Sequence, residues 1–324
     1  MVQVDLITGF LGAGKTTFLR RYAAWWAGQG VKVCVLENDF GAVNVDAMLL
    51  QDLEAQGVEL ETISGGCDCD THQRRMRTKL IAMAMRGFDR VVVEPSGIFD
   101  VDEFFDVLRD DPLDRWYHIG NVIAIVDAML PETLSPQAEY LLASETANAG
   151  RVLVSRTQLA GQQQTAAAVA HLTRALEGCK CSRRFAPEEI ITKDWARLTD
   201  ADLAAIAACG CRQASCEKLH FDEHEAFSSL CFLEQHLTLQ QLQAAADHLF
   251  ADAACGHVLR VKGFAPDQQG TTGWLELNAT AAGRTLEPIP QGQDVLIVIG
   301  EGLDKAAIEA RLKACIINTK TTEW

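Results

Sequence analysis

The sequence predicts an α/β protein: a parallel sheet covered by helices on both faces, followed by a second, smaller α+β domain. Three observations carry this. Short apolar runs of buried-strand character alternate with helix-length segments through the first half of the chain. A glycine-rich turn separates the first such run from the first helix. Past residues 211 to 222, where "CRQASCEKLHFD" breaks the pattern, strands and helices mix in a different rhythm. With 324 residues, 48% of them hydrophobic, the chain is long enough for about two domains with real cores. The boundary is placed between residues 212 and 213.

The first strand is the apolar run from Val4 to Ile7, and a helical pattern runs from Thr16 to about Trp26. Between them lies Gly9-x-x-x-x-Gly14-Lys15-Thr16, the phosphate-loop pattern in its strand, loop, helix setting. This makes the sheet one of the P-loop NTPase type. Backbone N–H groups from Gly9 through Gly12, Ala13 and Gly14 to Thr17 would surround phosphate oxygens, at the positive end of the following helix. Lys15 would reach the β and γ phosphates, and the Thr16 hydroxyl would ligate magnesium.

The second strand, from Val31, ends at Glu37-Asn38-Asp39, and the third ends at Glu94 with Ser96 and Gly97 just beyond. Ligands collect at the carboxyl ends of parallel strands, so these acids are expected near the phosphates. Glu94 is the natural carboxylate for the magnesium shell. Glu37 and Asp39 would order a switch loop, orient water or bind a second metal. Two further strands end at Asp127 and Ser155. Beyond them "LTDADLAAIAACG" reads as a helix with an acidic first turn and a glycine stop. The last part has strand signals in "SSLCFLE", "GHVLRVKGF", "WLELNA" and "DVLIVIG", and helical ones in "LQQLQAAADHLF" and "LDKAAIEARLKACI".

With "GFLGAGKTT", "ENDFG", "SGGCDCD", "EPSG" and "VDA" in this order, and "HEAFSSLCF", "VLRVKGF" and "VLIVIGEGLDKAAIEARLKAC" later, the chain resembles the CobW-type P-loop GTPases. These are metallochaperones and metal-insertion proteins, zinc-transferring and cobalamin-related members among them. The resemblance implies an enzyme that hydrolyses GTP with Mg2+ and passes a transition metal to a client metalloprotein. Homodimerisation is left open.

Two stretches depart from the family pattern. Where members carry Asn-Lys-x-Asp for guanine, this chain has Ser155-Arg156-Thr157-Gln158. Gln158 accepts through an uncharged oxygen, so the charge-assisted pairing, worth about 1.5–3 kcal/mol, is weakened. Arg156 could stack on the base. GTP is favoured, with ATP open.

The family's Cys-x-Cys-Cys is here Cys67-Asp68-Cys69-Asp70. Cysteines two apart in an extended segment point to one side, and two thiolates supply half of a tetrahedral zinc shell. Asp70, His72 and the acids of "ENDFG", Glu37 among them, are candidates for the rest. Oxygen in place of a third sulfur admits cobalt, nickel or iron(II) besides zinc. Cys179, Cys181, Cys209, Cys211, Cys216 and His220 form a second concentration of soft ligands, which would close a four-sulfur site only if the fold joins them. His224 reads as a lone exposed histidine.

Forty-four acidic against 29 basic residues give a net charge of -15, which disfavours nucleic acid and anionic lipid as partners. No apolar run is long enough to span a bilayer and the first residues lack a secretory signal, so the expected place is the cytoplasm with the 11 cysteines reduced. A kinase-like activator and a low-turnover nucleotide-binding regulator, each with structural cysteines, are the alternatives to a metallochaperone.

Overall fold

The computed structural model describes residues 1–39, 50–64, 69–95, 101–214, 216, 217, 227–267, 270, 273–281, 283–289 and 292–319. The side chains of residues 38, 39, 51, 64, 69–72 and 316–319 are outside that description. The chain divides into two compact units, Met1–His220 and Phe221–Trp324.

The first unit is built on a seven-stranded sheet in the order β3-β2-β4-β1-β5-β6-β7. Its strands are β1 (Val2–Thr8), β2 (Val33–Asp39), β3 (Glu59–Ser64), β4 (Arg90–Glu94), β5 (Tyr117–Asp127), β6 (Arg151–Ser155) and β7 (Ile190–Ile191). All pairings are parallel. The central strands read as continuous apolar runs because both faces are buried, and period-two alternation sends successive side chains to opposite cores. Val91 and Val93, with Val122, Ala124 and Val126, join one cluster. Val92, Ile123 and Ile125 join the other.

Helices α2 (Cys69–Met85), α3 (Val101–Arg109), α4 (Leu113–Trp116), α5 (Pro136–Ala147) and α6 (Thr157–Gly178) fill the first side. Helix α1 (Lys15–Gly28) and α7 (Asp200–Ile206) fill the second, through Phe18, Leu19, Tyr22, Leu203 and Ile206. Thr199 caps α7 by accepting from the Asp202 N–H, and Asp202 returns the bond, as the acidic first turn led one to expect. Below the phosphate end, Asp5 is fully buried but takes hydrogen bonds from Tyr22, Arg90 and Asn121, which removes the penalty of an unpaired interior charge.

The second unit is an antiparallel sheet in the order β11-β10-β9-β12-β8. Its strands are β8 (Ser228–Leu233), β9 (His257–Pro266), β10 (Trp274–Thr280), β11 (Gly283–Ile289) and β12 (Val295–Glu301). Helices α8 (Leu239–Ala251) and α9 (Lys305–Thr319) bring Leu242, Leu249, Ile308 and Leu312 into a core with Val261, Leu277, Leu296 and Val298. Among the described residues no helix is long and apolar enough to cross a membrane.

Candidate nucleotide and metal site

The phosphate loop joins the central strand β1 to α1, and its backbone conformation explains its glycines. Gly9 has φ +136°, and a Cβ there would stand 2.3 Å from the Ile125 carbonyl oxygen. Gly14, the N-cap of α1, has φ +102°. Both dihedrals disfavour a side chain, and at Gly9 there is also no room for one. Lys15 is buried, and its Nζ donates to the Gly9 carbonyl at 2.7 Å, so the loop curls around the ammonium. Glu145 of α5, also buried, accepts from the Gly9 N–H at 3.1 Å and fixes the start of the loop.

At the carboxyl end of β4, Glu94 accepts from the Thr16 hydroxyl at 2.8 Å. Glu37 is buried and stands in register with Glu94 on the adjacent strand. The expected Lys15, Thr16, Glu94 and Glu37 are thus brought to one edge of the sheet. Asp39 ends β2 in register with Ser64, the last residue of β3, although its side chain lies outside the described residues. Thr17 is exposed on the first turn of α1, while Gly12 and Ala13 are buried.

A hydroxyl paired with a buried carboxylate beside a lysine and a ring of backbone N–H groups is a donor set that suits magnesium with a polyphosphate. Thr16 and Glu94 would hold the ion.

The stretch expected to hold the base begins at Ser155, which is buried with its hydroxyl 3.5 Å from the Val126 carbonyl. Arg156 has φ +55° and caps α6. Its guanidinium donates to the Gly12 carbonyl at 2.9 Å and to Asp127, which also accepts the Met129 N–H at 2.8 Å. The guanidinium therefore braces the phosphate loop against β5 instead of lying free to stack on a base. Gln158 is exposed on the first turn of α6.

Sequence reasoning missed two residues here. Glu145 was signalled only by being the one acid in the buried second half of an otherwise apolar and small-residue helix. Trp195 follows the two-residue strand β7, and its ring edge stands against Gly14. No local pattern announces it.

Cys67, Ser96 and Gly97 lie outside the described residues, as do the side chains of Cys69, Asp70 and His72. Cys69 opens α2, so the extended stretch expected through both thiols ends before it. His220 and His224 are likewise outside the described residues.

The second group of cysteines is split by the fold. Cys209 is buried, its thiol 3.8 Å from the Val122 carbonyl, and burial, aided by Asp5, pushes it up to about 12. Cys179, Cys181 and Cys216 instead gather at the end of α6, where burial and a hydrogen bond to Cys181 raise the Cys216 thiol. Among the described residues no group of three or more His, Cys, Asp or Glu is arranged to hold a metal ion. The two Cys-x-Cys pairs thus do not close a four-sulfur site.

Comparison with known proteins agrees with this geometry. The family model "CobW/HypB/UreG, nucleotide-binding domain" matches residues 3–182, and "Cobalamin synthesis protein cobW C-terminal domain" matches residues 227–316. The zinc chaperone YjiA of Escherichia coli is 32% identical over 173 residues, covering 50% of this chain and 52% of that protein. The zinc chaperone YeiR of the same organism is 34% identical over 131 residues, 40% of this chain and 39% of that protein. The zinc-regulated GTPase metalloprotein activator 1 of Dictyostelium discoideum is 27% identical over 148 residues, 39% and 30%. The chain spans about half the length, or less, of these curated relatives.

Proposed function

The chain belongs to the CobW/HypB/UreG nucleotide-binding family, and from that premise we propose that it is a GTP-hydrolysing metallochaperone of the cytoplasm. It would couple nucleotide turnover to binding a transition metal and passing it to a client metalloprotein. The observation that supports this reading best is the register of Glu37 with Glu94, where Glu94 already accepts from Thr16. One strand further out, Asp39 pairs in register with Ser64, and the chain continues from Ser64 toward Cys67 and Cys69. On this reading phosphate chemistry and soft ligands would lie at adjacent strand ends.

Lys15 would exchange the Gly9 carbonyl for phosphate oxygens, giving charge stabilisation where negative charge develops in transfer. Magnesium, when bound, withdraws charge from the phosphate oxygens. Glu37 and Asp39 would order a switch loop, orient the attacking water or bind a second metal. The metal cargo would take Cys67 and Cys69, completed from Asp70, His72 or Glu37. Zinc is favoured because the relatives named above are zinc chaperones or zinc-regulated. Cobalt, nickel and iron(II) suit the same mixed sulfur and oxygen donors. Movement of the β2 and β3 ends on hydrolysis would open or remake the thiolate shell.

The test is titration of the reduced protein with zinc, cobalt and nickel, with and without magnesium and a non-hydrolysable triphosphate. Coupling of ordinary size shifts metal affinity by about 5- to 150-fold, with a reciprocal shift in nucleotide affinity. The double variant Cys67→Ser, Cys69→Ser should retain phosphate release and lose its response to metal. Equal metal affinity with and without nucleotide would sink the reading.

A further inference from the structure

The contact between Thr16 and Glu94 sets the direction in which a bound nucleotide lies. Magnesium and the terminal phosphates belong on the β4 side of the loop, since Glu94 ends β4. The sugar and base must extend the opposite way, over the carboxyl ends of β5, β6 and β7. Arg156 follows β6 there, and Trp195 follows β7. Arg156 is committed to Gly12 and Asp127, while Trp195 is a half-buried aromatic ring, packed against the α1-side core, that reaches the phosphate loop at this end.

The position of Trp195 is closely defined. A Cβ placed on Gly14 would stand 3.5 Å from its Cη2 and 3.6 Å from its Cζ3, with the Ser155 Cβ at 3.7 Å from the same point. Gly14 of the phosphate loop thus has the indole and Ser155, the first residue of the base stretch, as neighbours. Arg21 of α1 donates to the carbonyls of both Trp195 and Leu198. Asp194 accepts the Ala196 N–H at 3.0 Å, and the Phe18 ring meets the indole edge-on at 5.6 Å between centroids. This much bracing holds the ring still.

We propose that the indole of Trp195 is the stacking wall of the base pocket and that stacking replaces the guanine-carboxylate pairing which Gln158 weakens. The protein then recognises purine nucleotides through a face every purine has, in place of an edge only guanine has. This deepens the nucleotide reading above and rests on it. Stacking is tolerant of base identity and contributes comparably for adenine and guanine.

The experiment measures Kd of the full chain for GDP, ADP and inorganic tripolyphosphate, each with magnesium, in wild type, Trp195→Ala and Trp195→Phe. Trp195→Ala is expected to weaken GDP and ADP alike by about tenfold and to leave tripolyphosphate unchanged. Trp195→Phe should recover most of the loss. Unchanged or tighter GDP binding in Trp195→Ala overturns the proposal, and so does an equal loss for tripolyphosphate, which would make the indole a support for the loop only. Should Trp195→Ala fold poorly, the difference in tryptophan emission between wild type and Trp195→Phe decides. Quenching by GDP but not by tripolyphosphate is expected, and no quenching by GDP overturns the proposal. Wild-type protein that binds none of the three overturns the nucleotide reading and the stacking wall with it.

Discussion

Replacing Gly9 by alanine tests the geometry on which the phosphate site depends. The new methyl would stand 2.3 Å from the Ile125 carbonyl oxygen, a backbone atom inside a central strand that cannot step aside. At φ +136° the residue also enters a conformation that side chains avoid, at a cost of about 1–3 kcal/mol. Overpacking against a fixed neighbour adds about 1–3 kcal/mol. The sum, about 2–6 kcal/mol, is a large part of the stability of a domain this size and corresponds to a fall in Tm of about 4–24 °C.

Gly30→Ala is the control. Gly30 has φ +77° but nothing within 4 Å of its would-be Cβ, so it carries backbone strain without the collision. Thermal unfolding followed by circular dichroism should place Gly9→Ala below Gly30→Ala. Nucleotide binding should fail with it, because Gly9 supplies both the carbonyl under Lys15 and the N–H on Glu145. If Gly9→Ala melts no lower than Gly30→Ala, the packing of loop on β5 is not as described.

Two other outcomes follow from the same coordinates. Burial, aided by Glu61, pushes the Cys34 thiol up to about 12, and burial with Asp5 does the same for Cys209. An unfolded thiol ionises near pH 8.5, so above that pH the unfolded chain releases protons the folded one keeps, and stability falls by about 1.4 kcal/mol per pH unit per thiol until about pH 12. Urea midpoints taken from about pH 8 to about pH 10.5 should decline, and Cys34→Ala should flatten the slope by one proton's worth; an unchanged slope refutes the assignment. Gln158→Asp restores a carboxylate at the exposed first turn of α6, and should tighten GDP by about 10- to 150-fold without improving ADP. Equal shifts for both nucleotides would show that this position does not face the base.

The phosphate loop and the central strands were legible because their signals are local. Gly9, Gly14, Lys15 and Thr16 sit at offsets that chain geometry demands, and strands buried on both faces are apolar throughout. The missed strands lack that signal. β3, "ELETIS", is an edge strand with alternating polar residues, and β7 has only two residues. β11 is an edge strand containing Pro288, which is tolerated there because an edge needs no second set of hydrogen bonds. The second group of cysteines could not be resolved for a related reason: spacing pairs Cys179 with Cys181 and Cys209 with Cys211, but the end of α6 gathers Cys216 with the first pair, while the Cys209 thiol stands by the Val122 carbonyl of β5.

The order of the strands gives the phosphate loop two different sets of neighbours. β1 lies between β4 and β5, so the phosphate loop and the start of α1 meet Glu94 of the β4 end on one side and the turns after β6 and β7 on the other. On the first side Thr16 meets Glu94, and Glu37 stands beside it in register. On the second, Arg156 grips the Gly12 carbonyl and Arg21 ties α1 to the turn that carries Trp195. On the proposed reading, contacts on the base side would hold the loop through atoms that do not change when phosphate is cleaved, and so would set how tightly nucleotide binds. On the same reading, contacts on the acid side would reach the atoms whose charge changes on hydrolysis, and a signal to the thiols would leave by β2 and β3. A residue that strengthens base binding would therefore raise occupancy without strengthening the proposed coupling, and the two would be free to vary separately.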